Sequence, residues 1–107
     1  MKTESLIPTG TANALKIAYD AVTQILGKTP TMLMQEYNGV NYPTLRRIKD
    51  GLPVKPTTHM FYMNLFLRLL LYEYHQRIQK GDTGREILRL MAEIGLQEYN
   101  MTLDEQP

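Results

Sequence analysis

Glu36-Tyr37-Asn38-Gly39-Val40-Asn41-Tyr42-Pro43-Thr44-Leu45-Arg46-Arg47-Ile48-Lys49-Asp50-Gly51 reads as a turn, a short basic helix and a glycine stop. Asn38-Gly39 marks the turn because both residues tolerate positive φ. Pro43 suits a first helical turn, where its missing N–H leaves no bond unmade. Leu45 and Ile48, three apart, take the core side, while Thr44, Arg46, Arg47 and Lys49 face outward and Gly51 supplies the C-terminal cap. A short helix whose free face is this basic has the character of a DNA-reading element.

The flanking sequence is helical almost throughout. Over residues 11–26, Leu15, Ala18, Val22 and Ile25 recur at spacings of three and four behind Thr11 as an N-cap, which predicts helix one. Gly27 and Lys28 close it, and Thr29-Pro30 opens a short second helix to about Tyr37. Leu52-Pro53-Val54-Lys55-Pro56 is a stiff link, since each proline pushes the residue before it toward extended geometry. Thr57 or Thr58 then caps a long fourth helix to about Gln79. Its Met60, Phe61, Met63, Leu65, Phe66, Leu67, Leu69, Leu70 and Leu71 cover nearly every face, so it is expected to be central and buried on several sides. Asn64 and Arg68 keep that run well short of the roughly 20 apolar residues a bilayer requires, so no membrane span is expected. Gly81-Asp82-Thr83-Gly84 breaks the chain. Thr83 and Glu86, at capping-box spacing, start a final helix with the stripe Ile87, Leu90, Met91 and Ile94, ended by Gly95 and followed by a polar, frayed tail. The expected fold is all-α: about five helices in one domain of residues 1–107, with a core over 11–80 and a C-terminal helix and acidic tail over 81–107.

A chain of 107 residues buries one modest core. It has no cysteine, which excludes disulfides and thiolate metal sites, and no basic, apolar leader, so a reducing cytoplasm is expected. Net charge is only +1, but it is unevenly spread. Residues 1–80 carry ten Lys or Arg against five Asp or Glu, and residues 81–107 carry two against six. One end can approach phosphates while the other is repelled by them.

Over about residues 30–56 the chain resembles the helix-turn-helix of the lambda-repressor-like (phage repressor and Cro-like) DNA-binding domains. Gly39 falls on the family's turn glycine, Val40 on the apolar residue after it, Leu45 and Ile48 on the recognition-helix core positions, and Gly51 on the glycine that ends that helix. Gln35 and Asn38 depart from the pattern, which has a small and an apolar residue there; with one extra residue in the turn, Met34 and Tyr37 take those places. The resemblance implies a helix-turn-helix made by helices two and three, with the helix at about 42–50 in the major groove of double-stranded DNA. Asn41, Tyr42, Thr44 and Arg47 would then reach base edges, and Lys28, Thr31, Arg46, Lys49 and Lys55 would touch phosphates. Arg47 has the fork to grip a guanine, whereas Asn41 suits either an adenine or a phosphate. It further implies a small transcriptional regulator that binds as a homodimer on half-sites about one helical turn apart, with helix five as a possible dimerisation element.

Catalysis and cofactors are not expected: there is no Gly-rich phosphate loop, nucleophile elbow or His-Glu metal signature. His59 and His75 lack a partner pattern, and the tyrosines and methionines of helix four have the spacing of a core. Two adjacent arginines also suit a merely solvated face; the turn glycine, the apolar pair and the terminal glycine favour binding. Two rivals follow. One is a helix-turn-helix-derived protein-interaction module, signalled by Gln35, Asn38 and above all Asp50, which would repel the phosphates near it unless Arg46 or Arg47 pairs with it. The other is a structural bundle joined through helix five.

Overall fold

The computed structural model describes residues 9–104, with side chains from 14 to 98, and every regular element among them is helical. No described helix is long and apolar enough to cross a membrane. Helix α1, Thr9–Ile25, is the hub: Ala14, Leu15, Ala18, Tyr19, Ala21 and Val22 are all buried, and the alanines let three other helices approach closely. It begins before Thr11, which therefore lies within the helix instead of capping it.

Helix α2, Pro30–Glu36, starts as its sequence dictates: the Thr29 hydroxyl accepts from the Met32 N–H at 3.2 Å, and Pro30 occupies the first turn. Leu33 is fully buried, and Met34 and Tyr37 pack against the core, whereas Gln35 and Asn38 are exposed. Helix α3, Tyr42–Lys49, turns Leu45 and Ile48 into the core against α1. It ends in a Schellman arrangement: Gly51 has φ +73°, the Leu52 N–H donates to the Arg47 carbonyl at 2.9 Å, and the Gly51 N–H donates to the Ile48 carbonyl at 3.0 Å.

Helix α4, Pro56–Gln79, begins one residue before the expected caps. Proline's fixed φ suits the first helical position, and only Lys55, ahead of it, is forced extended. Thr57 and Thr58 therefore sit inside the first turn. The helix buries one stripe, His59, Tyr62, Met63, Phe66 and Leu70, and leaves Met60, Phe61, Leu71, Tyr72 and Ile78 exposed. α1 and α5 pack on it and the turn before α3 meets Phe61 and Tyr62, while Met60, Leu71, Tyr72 and Ile78 stay open to water.

Helix α5, Arg85–Asp104, buries Ile87 and Ile94, while Leu90 and Met91 are half-buried. The expected capping box does not form. The Thr83 hydroxyl accepts from the Arg85 N–H, Glu86 pairs with Arg77, and Gly84, at φ +65°, holds the position before the helix. A Cβ on Gly84 would lie 2.6 Å from the Tyr74 ring, so the chain must turn there without a side chain. The helix also continues through Gly95 and includes residues 100–104, expected as tail; residues 105–107 lie outside those described. Beyond Gly95 it is held by Glu98, whose Oε2 lies 2.7 Å from Nε2 of the buried His59 on α4.

Candidate nucleic-acid interface

With Leu45 and Ile48 inward, 100° per residue places Pro43, Arg46, Arg47 and Asp50 on the outermost line of α3, with Tyr42 and Lys49 on one flank and Thr44 on the other. The helix is fixed at both ends. The Asn41 side-chain oxygen accepts from the Thr44 N–H at 3.0 Å, which makes Asn41 the N-cap. At the other end, Lys16 of α1 donates to the Lys49 carbonyl at 3.0 Å while pairing with Asp20 at 3.1 Å. A cation at a helix C-terminus complements the helix dipole.

Arg46 and Lys49 are exposed and form no ion pair among the described residues. They line a cleft of about 210 Å³ with Tyr19, Tyr42 and Asp50. Tyr42 is half exposed, whereas burial pushes the Tyr19 phenol up, with smaller contributions from Asp20 and Tyr42. Asp50 pairs with neither Arg46 nor Arg47. On the opposite flank, Asn41 and Thr44 share a second cleft, of about 240 Å³, with Gly39, Thr57, Thr58 and Phe61.

The other expected contacts are more dispersed. Arg47 folds onto the link after α3: its Nε and Nη2 donate to the Pro53 carbonyl at 3.1 and 2.6 Å. Its fork therefore faces its own chain, and a guanine contact requires releasing that carbonyl. Lys28 is exposed on one side but pairs with Glu36 at 2.7 Å, and that hydrogen bond holds its ammonium above the ordinary lysine range. Thr31 and Lys55 are exposed, at the start of α2 and just before α4.

Tyr62 was not legible as part of this region. Its ring is 2% exposed, and its hydroxyl accepts from the Asn41 N–H at 3.0 Å. Only the fold brings α4 to the turn, so no local pattern announces it. Asn41 as a cap did have a signal, a side-chain acceptor two residues ahead of a first-turn proline. The buried His59, whose Nδ1 finds no partner among the described residues, joins α4 to α5. Comparison with protein-family models, curated proteins and solved structures finds no match to this chain.

Proposed function

We propose that this protein binds double-stranded DNA sequence-specifically, inserting α3 in the major groove, and that it serves as a small cytoplasmic transcriptional regulator. The observation that carries the reading is the outward surface of α3, where Arg46 and Lys49 stand exposed, with no ion pair among the described residues, on a helix pinned at both ends. The resemblance over residues 30–56 supports it. Base contacts are assigned to Tyr42, Thr44 and Arg47, with Arg47 acting after it leaves Pro53, and Asn41 to either a base edge or a phosphate. Phosphate contacts are assigned to Arg46, Lys49, Lys55, Thr31 and Lys28. Such a protein acts by occupying its site, with no chemistry of its own.

A second copy is the partner this reading requires. Met60, Leu71 and Ile78, at 63, 44 and 42% exposure, recur after three and then two helical turns of α4, and Leu88 and Leu96 are similarly open on α5. Paired about a two-fold axis, the α4 stripe of one copy can cover that of the other. Sedimentation equilibrium tests it: wild type should approach twice the monomer mass, and Leu71→Glu should not.

The second reading, a protein-interaction module, is favoured by Asp50 at the end of α3, which has no ion pair among the described residues and repels phosphates. Fluorescence anisotropy of a labelled random duplex, titrated at several salt concentrations, separates the two. The DNA reading requires affinity that falls steeply with salt, with a slope of several counterions. No binding at low salt would leave the interaction module.

A further inference from the structure

We propose that Asn41 is held as a hydrogen-bond donor to a DNA backbone phosphate, and that Tyr62 is the positioning residue that holds it. The inference rests on the DNA-binding reading of α3. It follows from counting what Asn41 has already committed. Its N–H donates to the Tyr62 hydroxyl at 3.0 Å, its carbonyl accepts from the Leu45 N–H at 3.1 Å, and its side-chain Oδ1 accepts from the Thr44 N–H at 3.0 Å. The cap also fixes which way the amide points. What faces solvent is Nδ2, with two N–H donors.

Reading an adenine takes both halves of the amide, an acceptor for N6 and a donor for N7. Here the cap takes one of the two lone pairs on Oδ1 and neither N–H, which favours a target that is an acceptor alone. Position selects among acceptors. Asn41 lies toward the Thr44 flank of α3, in the cleft shared with Thr57 and Thr58 of α4, while Pro43, Arg46 and Arg47 occupy the outermost line. Asn41 is the N-cap, set back from that line and ahead of the first helical turn, where a phosphate of the groove wall comes nearer than a base edge. No carboxylate lines this cleft, and its hydroxyls can donate beside the amide.

Tyr62 fixes the geometry from the core. Its ring stands perpendicular to Phe61 at 5.1 Å and against Phe66 at 5.9 Å, so its hydroxyl has little freedom. That hydroxyl also reaches the Gly39 carbonyl at 3.5 Å. The Phe61 ring closes the other side of the turn: a Cβ on Gly39, where φ is +91°, would lie 3.1 Å from its Cζ. The turn is thus gripped by two adjacent α4 side chains.

The test is a double-mutant cycle of Asn41→Asp and Tyr62→Phe on the full chain, read by anisotropy with a labelled random duplex across salt concentrations. Aspartate keeps the cap acceptor and replaces the donor with an anion, so Asn41→Asp should melt with the wild type, while its Kd rises roughly 10-fold or more and its salt slope falls by about one counterion. Asn41→Ser, which keeps a cap without an amide or a charge, should show the same direction with a smaller loss. Tyr62→Phe should weaken binding several-fold in the wild-type background and have little further effect beside Asn41→Asp, because it acts through Asn41. Equal binding by wild type, Asn41→Asp and Asn41→Ser overturns the phosphate contact. Additive losses in the cycle overturn the positioning role of Tyr62. A wild type that binds no duplex would instead defeat the DNA reading itself, and this inference with it.

Discussion

Replacing Arg47 with alanine should lower stability, whereas replacing its neighbour Arg46 should not. Both are exposed, adjacent and identical in chemistry, so only their contacts distinguish them. Arg46 pairs with nothing among the described residues, and Arg46→Ala should stay within about 0.5 kcal/mol of wild type. Arg47 makes two hydrogen bonds to the Pro53 carbonyl and thereby ties the segment between α3 and α4 to α3. A hydrogen bond from a charged group is worth about 1.5–3 kcal/mol net when sheltered, and solvent exposure reduces this to about 1 kcal/mol here. In a domain of this size that corresponds to a Tm about 4–8 °C lower. Thermal unfolding followed by far-ultraviolet circular dichroism measures it directly. In DNA titrations Arg46→Ala should lose about one counterion of salt slope, a loss that needs no change in stability. Equal melting temperatures for the two variants would refute the reasoning, since the Pro53 contact would then contribute nothing in solution. The Arg46/Arg47 double alanine variant should therefore lose only the Arg47 share of stability.

Gly95→Ala should stabilise the protein by about 0.5–1 kcal/mol in chemical denaturation, because an added methyl meets nothing within 4 Å and the helix loses its most flexible residue. Gly84→Ala should cost about 2–4 kcal/mol in the same assay, combining a left-handed backbone with a Cβ 2.6 Å from the Tyr74 ring. Asn41→Ala, which removes the cap, should cost about 1 kcal/mol, in contrast to Asn41→Asp.

The helices were legible because their signals are local. Leu45 and Ile48 face inward, Thr29 and Pro30 open α2, and Gly51 ends α3, each for a reason contained within four residues of chain. What was not legible depended on neighbours that sequence does not supply. Gly95 looks like a terminator, yet Ile94 is buried and Glu98 reaches His59, so packing on both sides carries the helix across it. Thr83 and Glu86 have the spacing of a capping box. The Tyr74 ring leaves room only for glycine at position 84, and the helix begins after that residue. The apolar richness of α4 suggested burial on several sides, but composition does not count how many helices are available to cover it. Within the candidate site, the basic surface of α3 could be read directly. The commitments of Arg47 to Pro53 and of Asn41 to Tyr62 could not, because each depends on a contact between separate elements or on how a loop returns.

Those commitments bear on why α3 can present a surface at all. A helix of eight residues has too few internal hydrogen bonds to persist alone in water, where roughly 12–15 residues are marginal. Its order must come from outside. Leu45 and Ile48 anchor the inner side, Asn41 and Tyr62 fix the first turn, and the Gly51 cap with Lys16 fixes the last. These contacts leave the Arg46 and Lys49 side chains unengaged. The backbone that carries them is therefore ordered before any ligand arrives, and binding has only their rotamers left to restrict, at about 0.5–1.5 kcal/mol each. A merely solvated face gains nothing from such support. A face that must match a groove does, because misplacement of its backbone would be subtracted from every contact it makes.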